Sequence, residues 1–245
     1  MSSVSASTLI VMPALNEEAA ISAVISEVFR SLPDCTCLVV DDGSHDNTSA
    51  VARKAGAIVA TLPYNLGVGG AMRVGFNYAL ANGFDNVVQV DADGQHDPAA
   101  IKDLLRELST ADLVLGARFA GQGEYEARGP RKWAMIVLAK LLSRSAGTQL
   151  TDTTSGFRAS GPRAVQLFAE YYPAEYLGDT VESLVIASRA GCIIRQVPVS
   201  MRPRAGGTPS HKPIKAAVFL LRVGVAMLFA FLRPPVVTKL EQDQK

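Results

Sequence analysis

Short apolar runs alternate with amphipathic stretches along the first half of the chain. The apolar runs predict strands, and the stretches between them carry apolar residues at helical spacing. Strands that alternate with helices form right-handed βαβ units around a mostly parallel sheet, so we predict an α/β fold. The predicted strands are Leu9–Met12, Cys37–Val40, Ala57–Leu62, Asn86–Val90 and Leu113–Gly116. The predicted helices run from Glu17 through Val28, from Asp46 or Asn47 to Ala55, from the Asn65–Gly70 turn to about Asn82, and over Pro98–Leu108.

Four polar turns follow the predicted strands at their carboxyl ends, where open α/β sheets bind ligands. They are Pro13–Glu17, Asp41–Asp42, Asn65–Gly70 and Asp91–Gln95. The glycine-rich turn is neither a dinucleotide fingerprint nor a P-loop, because it follows the third strand and lacks a Gly-Lys-Ser/Thr ending. A tight turn that starts a helix explains it as well as a phosphate site at the helix N-terminus does. The convergence of the four turns predicts a ligand site at this edge of the sheet.

Two carboxylates, Asp91 and Asp93, stand where the fourth predicted strand ends. In a continuing strand they would point to opposite faces, so the backbone must turn for both to serve one site, and Gly94 permits that turn. Together with the amide oxygen of Gln95 they suit a hard divalent ion, which could hold the diphosphate of a nucleotide. We predict Asp97 as the N-cap of the following helix, with Pro98 at its first position. The competing interpretation makes Asp91 and Asp93 part of the same plain polar turn.

Charge is distributed unevenly along the 245 residues, although the formal net charge of +1 indicates no nucleic-acid partner. Between Ser183 and Leu240 there are nine Lys or Arg and no Asp or Glu. This asymmetry predicts a basic C-terminal surface that faces something anionic. The three cysteines, Cys35, Cys37 and Cys192, lie in apolar runs and predict buried thiols in a reducing compartment. No signal peptide opens the chain, so we expect a cytoplasmic protein.

A long apolar run near the C-terminus, Ile214–Leu232, is interrupted by Lys215 and Arg222 and followed by Arg233. At about 100° per residue the three cations share one stripe of a helix, opposite a broad apolar arc. This pattern predicts an amphipathic helix that lies in the membrane interface. A helix that crosses the bilayer and a helix that packs on the core are the alternatives.

Seven short motifs follow one another between Leu9 and His211. They are Val11–Glu17, Val40–Ser44, Asn65–Gly67, Asp91–His96, Gly116–Phe119, Asp152–Arg158 and Val197–Val199. Together they resemble the family 2 glycosyltransferases, and among them the dolichyl- or polyprenyl-phosphate sugar (mannose-type) synthases. The resemblance implies a GT-A (Rossmann-like), mostly parallel sheet flanked by helices, in a catalytic domain over 1–212. The predicted interfacial helix then occupies 213–235, and a polar tail occupies 236–245.

The resemblance also implies roles for individual residues. The nucleotide would be bound by Pro13, Ala14, Asn16, Glu17, Asp42, Gly70, Asp91, Ala92 and Asp93. Mg²⁺ or Mn²⁺ would be held against the diphosphate by Asp91, Asp93 and Gln95. Arg118 and Arg158 would lie near the acceptor phosphate, and Arg202 belongs to a late Arg-rich loop that closes over the site in the family. The expected catalytic set is Asp93, Arg118, Asp152, Arg158 and Arg202.

The expected reaction is metal-dependent, inverting transfer of a hexose or N-acetylhexosamine from a UDP- or GDP-linked sugar to polyprenyl phosphate. We expect the enzyme at the cytoplasmic side of the plasma membrane, bound peripherally or by a single helix. This location would allow a membrane-protein partner. A phosphate monoester has its second pKa near ~6, so this acceptor is already anionic at neutral pH and needs no strong base.

The leading alternative is a soluble family 2 enzyme that acts on a hydroxyl acceptor, which would need a base such as Asp152 or Glu182. A non-catalytic membrane adaptor fits less well, because such a protein could lose the carboxylates Asp91 and Asp93 freely. A sugar nucleotidyltransferase would usually carry a glycine-rich loop with Lys or Arg just after the first strand, and Pro13–Glu18 has neither.

Overall fold

The computed structural model describes residues 7–118, 143, 148, 150–173 and 179–203. These residues form one sheet with helices on both of its faces. The strands are β1 (Thr8–Ala14), β2 (Thr36–Asp41), β3 (Ile58–Thr61), β4 (Asn86–Gln89), β5 (Leu113–Ala117), β6 (Arg158–Ser160) and β7 (Ile194–Pro198). The helices are α1 (Ile21–Ser31), α2 (Thr48–Lys54), α3 (Gly67–Ala81), α4 (Ile101–Glu107), α5 (Pro162–Tyr171) and α6 (Asp179–Arg189), and a 3₁₀ turn (Pro98–Ala100) precedes α4.

The strand order across the sheet is β3-β2-β1-β4-β6-β5-β7. β6 runs antiparallel to both of its neighbours, and the other strand pairs are parallel. The chain moves from β1 outward to β2 and β3, then returns to β4 on the other side of β1. This reversal of direction creates the crevice between β1 and β4 in which α/β sheets bind ligands.

The strands and helices predicted from hydrophobic periodicity are confirmed, with changes at their ends. β1 continues through Pro13 and Ala14, which pair with β2, whereas the prediction ended this strand at Met12. Helix α1 begins at Ile21 rather than at Glu17, because the residues between them form a turn closed by backbone bonds to the Glu17 carbonyl. Asp97 caps the turn before α4, where its carboxylate accepts the Ala99 N–H at 3.0 Å, as predicted.

Each face of the sheet has its own apolar core, because successive strand residues point to opposite sides. In β1, Leu9 and Val11 face the layer of α3, α5 and α6, while Ile10 and Met12 face the layer of α1, α2 and α4. All four side chains are fully buried. A strand covered on both faces reads as a short continuous apolar run, and that run is what located β1 in the sequence.

The sequence did not predict β6, α5, α6 or β7. β6 is Arg-Ala-Ser, in which only Ala159 is apolar, and three residues are too few to show a periodicity. The strand is held by its neighbours instead: Arg158 lies opposite Gln89 of β4 and opposite Leu115 of β5. β6 therefore starts at the carboxyl edge of β4, which decides what the preceding loop can reach.

All three cysteines are buried free thiols, as predicted. Burial raises the pKa of both Cys35 and Cys192 to about 11 and also raises the pKa of Cys37. The thiols therefore stay protonated at neutral pH, and they behave as small apolar side chains of the core.

The predicted amphipathic helix over 213–235 and the polar tail lie outside the described residues. Within the described part of the chain, no helix combines the length and the apolar character that crossing a bilayer requires.

Helix α3 approaches β1 closely at Gly75. A Cβ atom at this position would lie 2.5 Å from Cγ1 of Val11 and 2.8 Å from its Cγ2, well inside van der Waals contact. Val11 is fully buried between the two elements, so it has little room to move. The absence of a side chain at Gly75 therefore sets the distance between α3 and the centre of the sheet.

We expect Gly75→Ala to lower the free energy of unfolding by about 1–3 kcal/mol, because overpacking forces α3 away from β1. Urea denaturation measures the change. In a Val11→Ala background the same substitution should become neutral or stabilising, since alanine is the better helix former by about 1 kcal/mol. Equal costs in the two backgrounds would show that the contact with Val11 is not the cause.

Candidate active site

The carboxyl ends of β1, β2 and β4 bring three of the predicted turns to one edge of the sheet. Asp42 follows β2 directly, and its N–H donates to the Ala14 carbonyl at 2.8 Å. Asn16 and Glu17 follow β1, and the Asp91–Gln95 turn follows β4. The predicted nucleotide and metal residues of these three turns are thus neighbours in space.

The turns after β1 and β2 are cross-linked by hydrogen bonds. The Asn16 N–H donates to Oγ of Ser44 at 2.9 Å, and the Asn16 Oδ1 accepts the His45 N–H at 2.8 Å. The Glu17 N–H donates to Oγ1 of Thr48 at 2.8 Å. Asn16 has a φ of 56°, a left-handed conformation that asparagine tolerates better than most residues. The two turns consequently behave as one rigid unit.

Asp42 anchors the glycine-rich turn to this unit. Its two carboxylate oxygens accept the backbone N–H groups of Leu66 and Gly67 at 2.7 and 2.8 Å. Burial raises the pKa of Asp42, and these two hydrogen bonds oppose the rise. The first turn of α3 also needs Gly70, because a Cβ there would lie 2.5 Å from Cβ of Leu66. The predicted nucleotide residues Asp42 and Gly70 therefore also hold the third turn in place.

The two carboxylates of the Asp-x-Asp turn differ in their exposure and in their hydrogen-bond partners. The Asp91 side chain is 38% exposed, and its Oδ1 accepts Nε2 of Gln89 at 3.2 Å. Asp93 is only 8% exposed, and its Oδ1 accepts the Gln95 N–H at 3.0 Å. Ala92, between them, packs its methyl group into the core on the α1 and α4 side, so only its backbone can face a nucleotide.

The oxygen donors of this turn fit a divalent ion that is completed by other ligands. No group of three or more His, Cys, Asp or Glu side chains in the described part of the chain is arranged to hold a metal by itself. Two carboxylates and one amide oxygen suit Mg²⁺ or Mn²⁺, because such ions keep waters and take up substrate phosphates as further ligands. The turn is therefore suited to an ion that arrives with a diphosphate.

The loop before β6 approaches the Asp91 carboxylate closely at Gly156. A Cβ at this position would lie 3.0 Å from Nε2 of Gln89 and 3.3 Å from Oδ2 of Asp91. Any side chain at position 156 would push the loop or the carboxylate aside. The sequence contained Gly156 within a motif but did not reveal this contact.

Arg118 and Asp152 form an ion pair at the end of β5. Nε of Arg118 lies 2.6 Å from Oδ2 of Asp152, and Nη2 lies 2.9 Å from Oδ1. Nη2 also donates to Oγ1 of Thr154 at 2.8 Å. Asp152 is fully buried, whereas the Arg118 side chain is 25% exposed. Burial opposes ionisation of Asp152, but the hydrogen bonds and charge of Arg118 outweigh it and lower the pKa of this carboxyl.

Arg158 is buried beneath the site rather than displayed in it. The residue is 4% exposed, and its guanidinium donates to the Ser155 and Thr153 carbonyls at 2.7 and 3.2 Å and to Oγ of Ser183 at 2.8 Å. These contacts hold the loop before β6. The proposed contact of Arg158 with an acceptor phosphate stays a prediction, and the geometry favours a supporting role.

Arg202 lies at the surface beside the Asp-x-Asp turn. Its guanidinium donates to Oε2 of Glu27 in α1 and, at 2.9 Å, to Oδ1 of Asp97. Its backbone N–H donates to the Gln95 carbonyl at 2.9 Å. Arg202 thus ties the segment after β7 to the Asp-x-Asp turn, and its contact with an acceptor phosphate stays a prediction.

Sequence comparison places the chain among known proteins. Residues 9–166 match the profile of the family described as Glycosyl transferase family 2. The chain is 31% identical over 211 residues to the undecaprenyl-phosphate mannosyltransferase of Micrococcus luteus, covering 81% of this chain and 85% of that one. It is 28% identical over 210 residues to the UDP-N-acetylglucosamine–dolichyl-phosphate N-acetylglucosaminyltransferase of Methanococcus voltae, covering 78% and 83% of the two chains.

Structural comparison confirms the GT-A-like fold. The crystal structure of glucosyl-3-phosphoglycerate synthase from Mycobacterium tuberculosis, in complex with Mn²⁺, uridine diphosphate and glucosyl-3-phosphoglycerate, superposes with a TM-score of 0.72. The identity is 24%, and the match covers 93% of this chain and 81% of that one. At this identity the likeness establishes the fold and leaves the acceptor undecided.

Asp152→Asn is expected to lower the free energy of unfolding at pH 7 by about 3 kcal/mol, because it removes the charge partner of Arg118 at a buried position. The folded-state pKa of Asp152 is lowered, so its stabilisation is complete above the unfolded-state pKa of about 3.9. It is lost as the pH falls through the folded-state pKa. Denaturation at several pH values should therefore show the difference between wild type and variant shrinking only in acid.

The matched control for this variant is Asp103→Asn in α4. Asp103 accepts Nη1 of Arg106 at 2.7 Å, but the two side chains are 53% and 76% exposed. Solvent screens this pair, so its removal should change stability little. Equal losses for the two variants would contradict the assignment of Asp152 as a buried anchor.

Proposed function

Because this chain belongs to glycosyl transferase family 2, we propose that it transfers a sugar from a nucleotide diphosphate sugar to the phosphate of a polyprenyl carrier lipid. The sugar is a hexose or an N-acetylhexosamine, and the nucleotide is UDP or GDP. The relatives of Micrococcus luteus and Methanococcus voltae, whose names specify undecaprenyl phosphate and dolichyl phosphate, support this acceptor class. They also support a membrane-associated protein.

The ion pair of Arg118 and Asp152 is the observation that favours a phosphate acceptor, because it disqualifies Asp152, one of the two candidate bases; it does not bear on Glu182, the other. A hydroxyl acceptor needs a general base whose pKa lies near the working pH. Asp152 is fully buried, Arg118 occupies both of its oxygens, and its pKa is lowered, so it is poorly suited to take a proton. A phosphate monoester has already lost most of its second proton at neutral pH and needs no such base.

The donor is bound at the edge formed by the turns after β1, β2 and β4. Asn16, Glu17 and Asp42 line the nucleoside pocket, and the Asp-x-Asp turn faces the diphosphate. When bound at Asp91, Asp93 and Gln95, Mg²⁺ or Mn²⁺ would offset the negative charge that develops on the departing diphosphate. The Mn²⁺ and uridine diphosphate in the Mycobacterium tuberculosis structure support this type of ion and donor.

Arg118 neutralises and orients the acceptor phosphate in this proposal. It is partly exposed at the end of β5, and Asp152 and Thr154 hold its guanidinium in one plane. Because Nε and Nη2 bind Asp152 and Thr154, the guanidinium serves the phosphate as a fixed positive charge rather than as a two-nitrogen fork. The phosphate oxygen attacks the anomeric carbon from the side opposite the leaving diphosphate, and this in-line displacement inverts the anomeric configuration. The protein contributes position and charge, with no proton transfer at the nucleophile.

The catalytic unit extends over 1–212, and the helix over 213–235 brings it to the cytoplasmic face of the membrane. A polyprenyl tail stays in the bilayer, so the enzyme must reach a phosphate at the membrane surface. The stripe of Lys215, Arg222 and Arg233 provides attraction to anionic lipid, and the apolar arc provides burial. The residues over 236–245 that follow this segment are mostly polar.

We expect transfer to a short polyprenyl phosphate when the full-length protein is incubated with Mn²⁺ and a panel of UDP- and GDP-sugars. Mass spectrometry of the lipid product identifies the sugar.

Asp93→Asn is the matched control: it should abolish transfer yet melt within a few degrees of wild type, because asparagine keeps an acceptor for the Gln95 N–H. Transfer to 3-phosphoglycerate or another hydroxyl acceptor, without polyprenyl phosphate activity, would favour the alternative. Full activity in excess EDTA would show that transfer does not require a divalent metal ion.

We expect the full-length protein to float with liposomes that contain anionic lipid. Each Lys or Arg near an anionic surface adds about 1 kcal/mol, so reversing Lys215, Arg222 and Arg233 to Glu should release most of the protein. Wild type should bind neutral liposomes more weakly, through the apolar arc alone. Wild type that stays in solution with both kinds of liposome would show that the helix does not bind membranes.

A further inference from the structure

We infer that His96 is a positioning residue that orients both the backbone and the carboxylate of Asp91 toward the divalent ion. The inference rests on the proposed metal-dependent transfer, and it adds a residue that sequence reasoning did not include in the site. His96 lies five positions after Asp91 in the same turn. Its ring contacts Asp91 in two places and stacks on Phe157, and its backbone pairs with Met201.

The first contact fixes the backbone. Nδ1 of His96 accepts the hydrogen bond of the Asp91 N–H at 3.0 Å. A ring nitrogen can accept only when it carries no proton, so the geometry places the ring proton on Nε2. The peptide that leads into Asp91 is thereby held at the end of β4, where the backbone leaves the sheet.

The second contact concerns the carboxylate. Nε2 of His96 lies 3.5 Å from Oδ2 of Asp91, and Nε2 of Gln89 donates to Oδ1 at 3.2 Å. Gln89 therefore donates to one oxygen, and the His96 ring lies beside the other. Because the Asp91 side chain is 38% exposed, it could otherwise adopt several rotamers in solvent. The hydrogen bond from Gln89 and the contact with the His96 ring favour a single orientation.

The ring of His96 is itself immobilised. It is 3% exposed and stacks on Phe157, with ring centroids 4.8 Å apart and planes inclined by 13°. An isolated antiparallel bridge joins His96 to Met201, and the Arg202 N–H donates to the Gln95 carbonyl next to it. Phe157 belongs to the loop before β6 and Met201 to the segment after β7. The loop before β6 therefore holds the ring of His96, and the segment after β7 holds its backbone.

Residues that orient a metal ligand typically change metal affinity or activity about 10- to 100-fold when they are replaced. If His96 served packing alone, removing its ring nitrogens would leave metal affinity and activity unchanged. Two substitutions separate these roles. His96→Phe keeps a ring that can stack on Phe157 and removes both nitrogens, whereas His96→Asn gives up the stack and keeps an acceptor at the place of Nδ1.

The first readout is Mn²⁺ affinity of the full-length protein in the presence of UDP or GDP, measured by electron paramagnetic resonance of the free ion. We expect His96→Phe to weaken Mn²⁺ binding about 10- to 100-fold. His96→Asn should recover a substantial part of that loss, although it is the less conservative change in the core. Melting temperatures of both variants verify that the proteins are folded at the assay temperature.

The second readout needs no metal. Amide hydrogen exchange in the metal-free protein should be faster at Asp91 in His96→Phe, because its N–H has lost its acceptor, and close to wild type in His96→Asn. The ¹⁵N resonances of the His96 ring in wild type should show protonated Nε2 and unprotonated Nδ1. A ring protonated on Nδ1 at neutral pH would overturn the inference.

The outcomes separate this inference from the proposed function. Mn²⁺ affinity and Asp91 exchange that stay within about twofold of wild type in His96→Phe would refute the positioning role and leave the function intact. Greater losses in His96→Asn than in His96→Phe would show that ring packing is what matters. A wild type that binds no Mn²⁺ with either nucleotide would refute metal dependence, while the exchange experiment would still decide the role of His96.

Discussion

The antiparallel insertion of β6 between β4 and β5 is the constraint on which the candidate site depends. β4 and β5 run in the same direction, so a strand between them that runs the other way must begin at their carboxyl edge. The loop that precedes β6 therefore arrives at the edge where Asp91 and Arg118 lie. It brings Asp152 to the arginine and Gly156 to the aspartate. A parallel β6 would have left this loop at the opposite edge of the sheet.

Buried polar contacts convert this topology into one defined loop conformation. Arg158 binds two carbonyls of the loop and Ser183 of α6, and Asp152 is satisfied by Arg118 and Thr154. Removing one member of such a set leaves a buried charge without its partner, which costs several kcal/mol, so alternative loop conformations are strongly disfavoured. The rigid loop lies against Arg118 and Asp91 and limits their movement. Preorganised groups of this kind lose little energy to reorganisation during a reaction.

The two sides of the site are built by different means. On the proposed donor side, backbone N–H groups and short polar side chains bind the turns to one another, as in the pairing of Asp42 with Leu66 and Gly67. On the proposed acceptor side, a charged side chain is held by a buried carboxylate. This division suits the proposed reaction, in which the nucleotide requires a shaped pocket and the acceptor phosphate requires positive charge.

The sequence by itself determined the elements whose evidence is local. Short apolar runs located β1 to β5, and apolar residues at helical spacing located α1 to α4. The sequence also determined that Asp42 and Asp91 share an edge, since parallel strands joined by helices have their carboxyl ends on the same side. Asp97 was identified as a cap for the same reason: a cap depends only on the next few residues.

Only the tertiary structure decided what each polar side chain contacts. Arg202 and its partner Glu27 are 175 positions apart, and Arg118 and Asp152 are 34 apart, so no local pattern links them. The three residues of β6 have no periodicity of their own and form a strand only because β4 and β5 bind them from both sides. His96 was one polar residue in a motif until folding placed it between Phe157 and Asp91. Contacts between distant segments form when the folded chain packs. The spacing of residues along the chain does not indicate which of these segments meet.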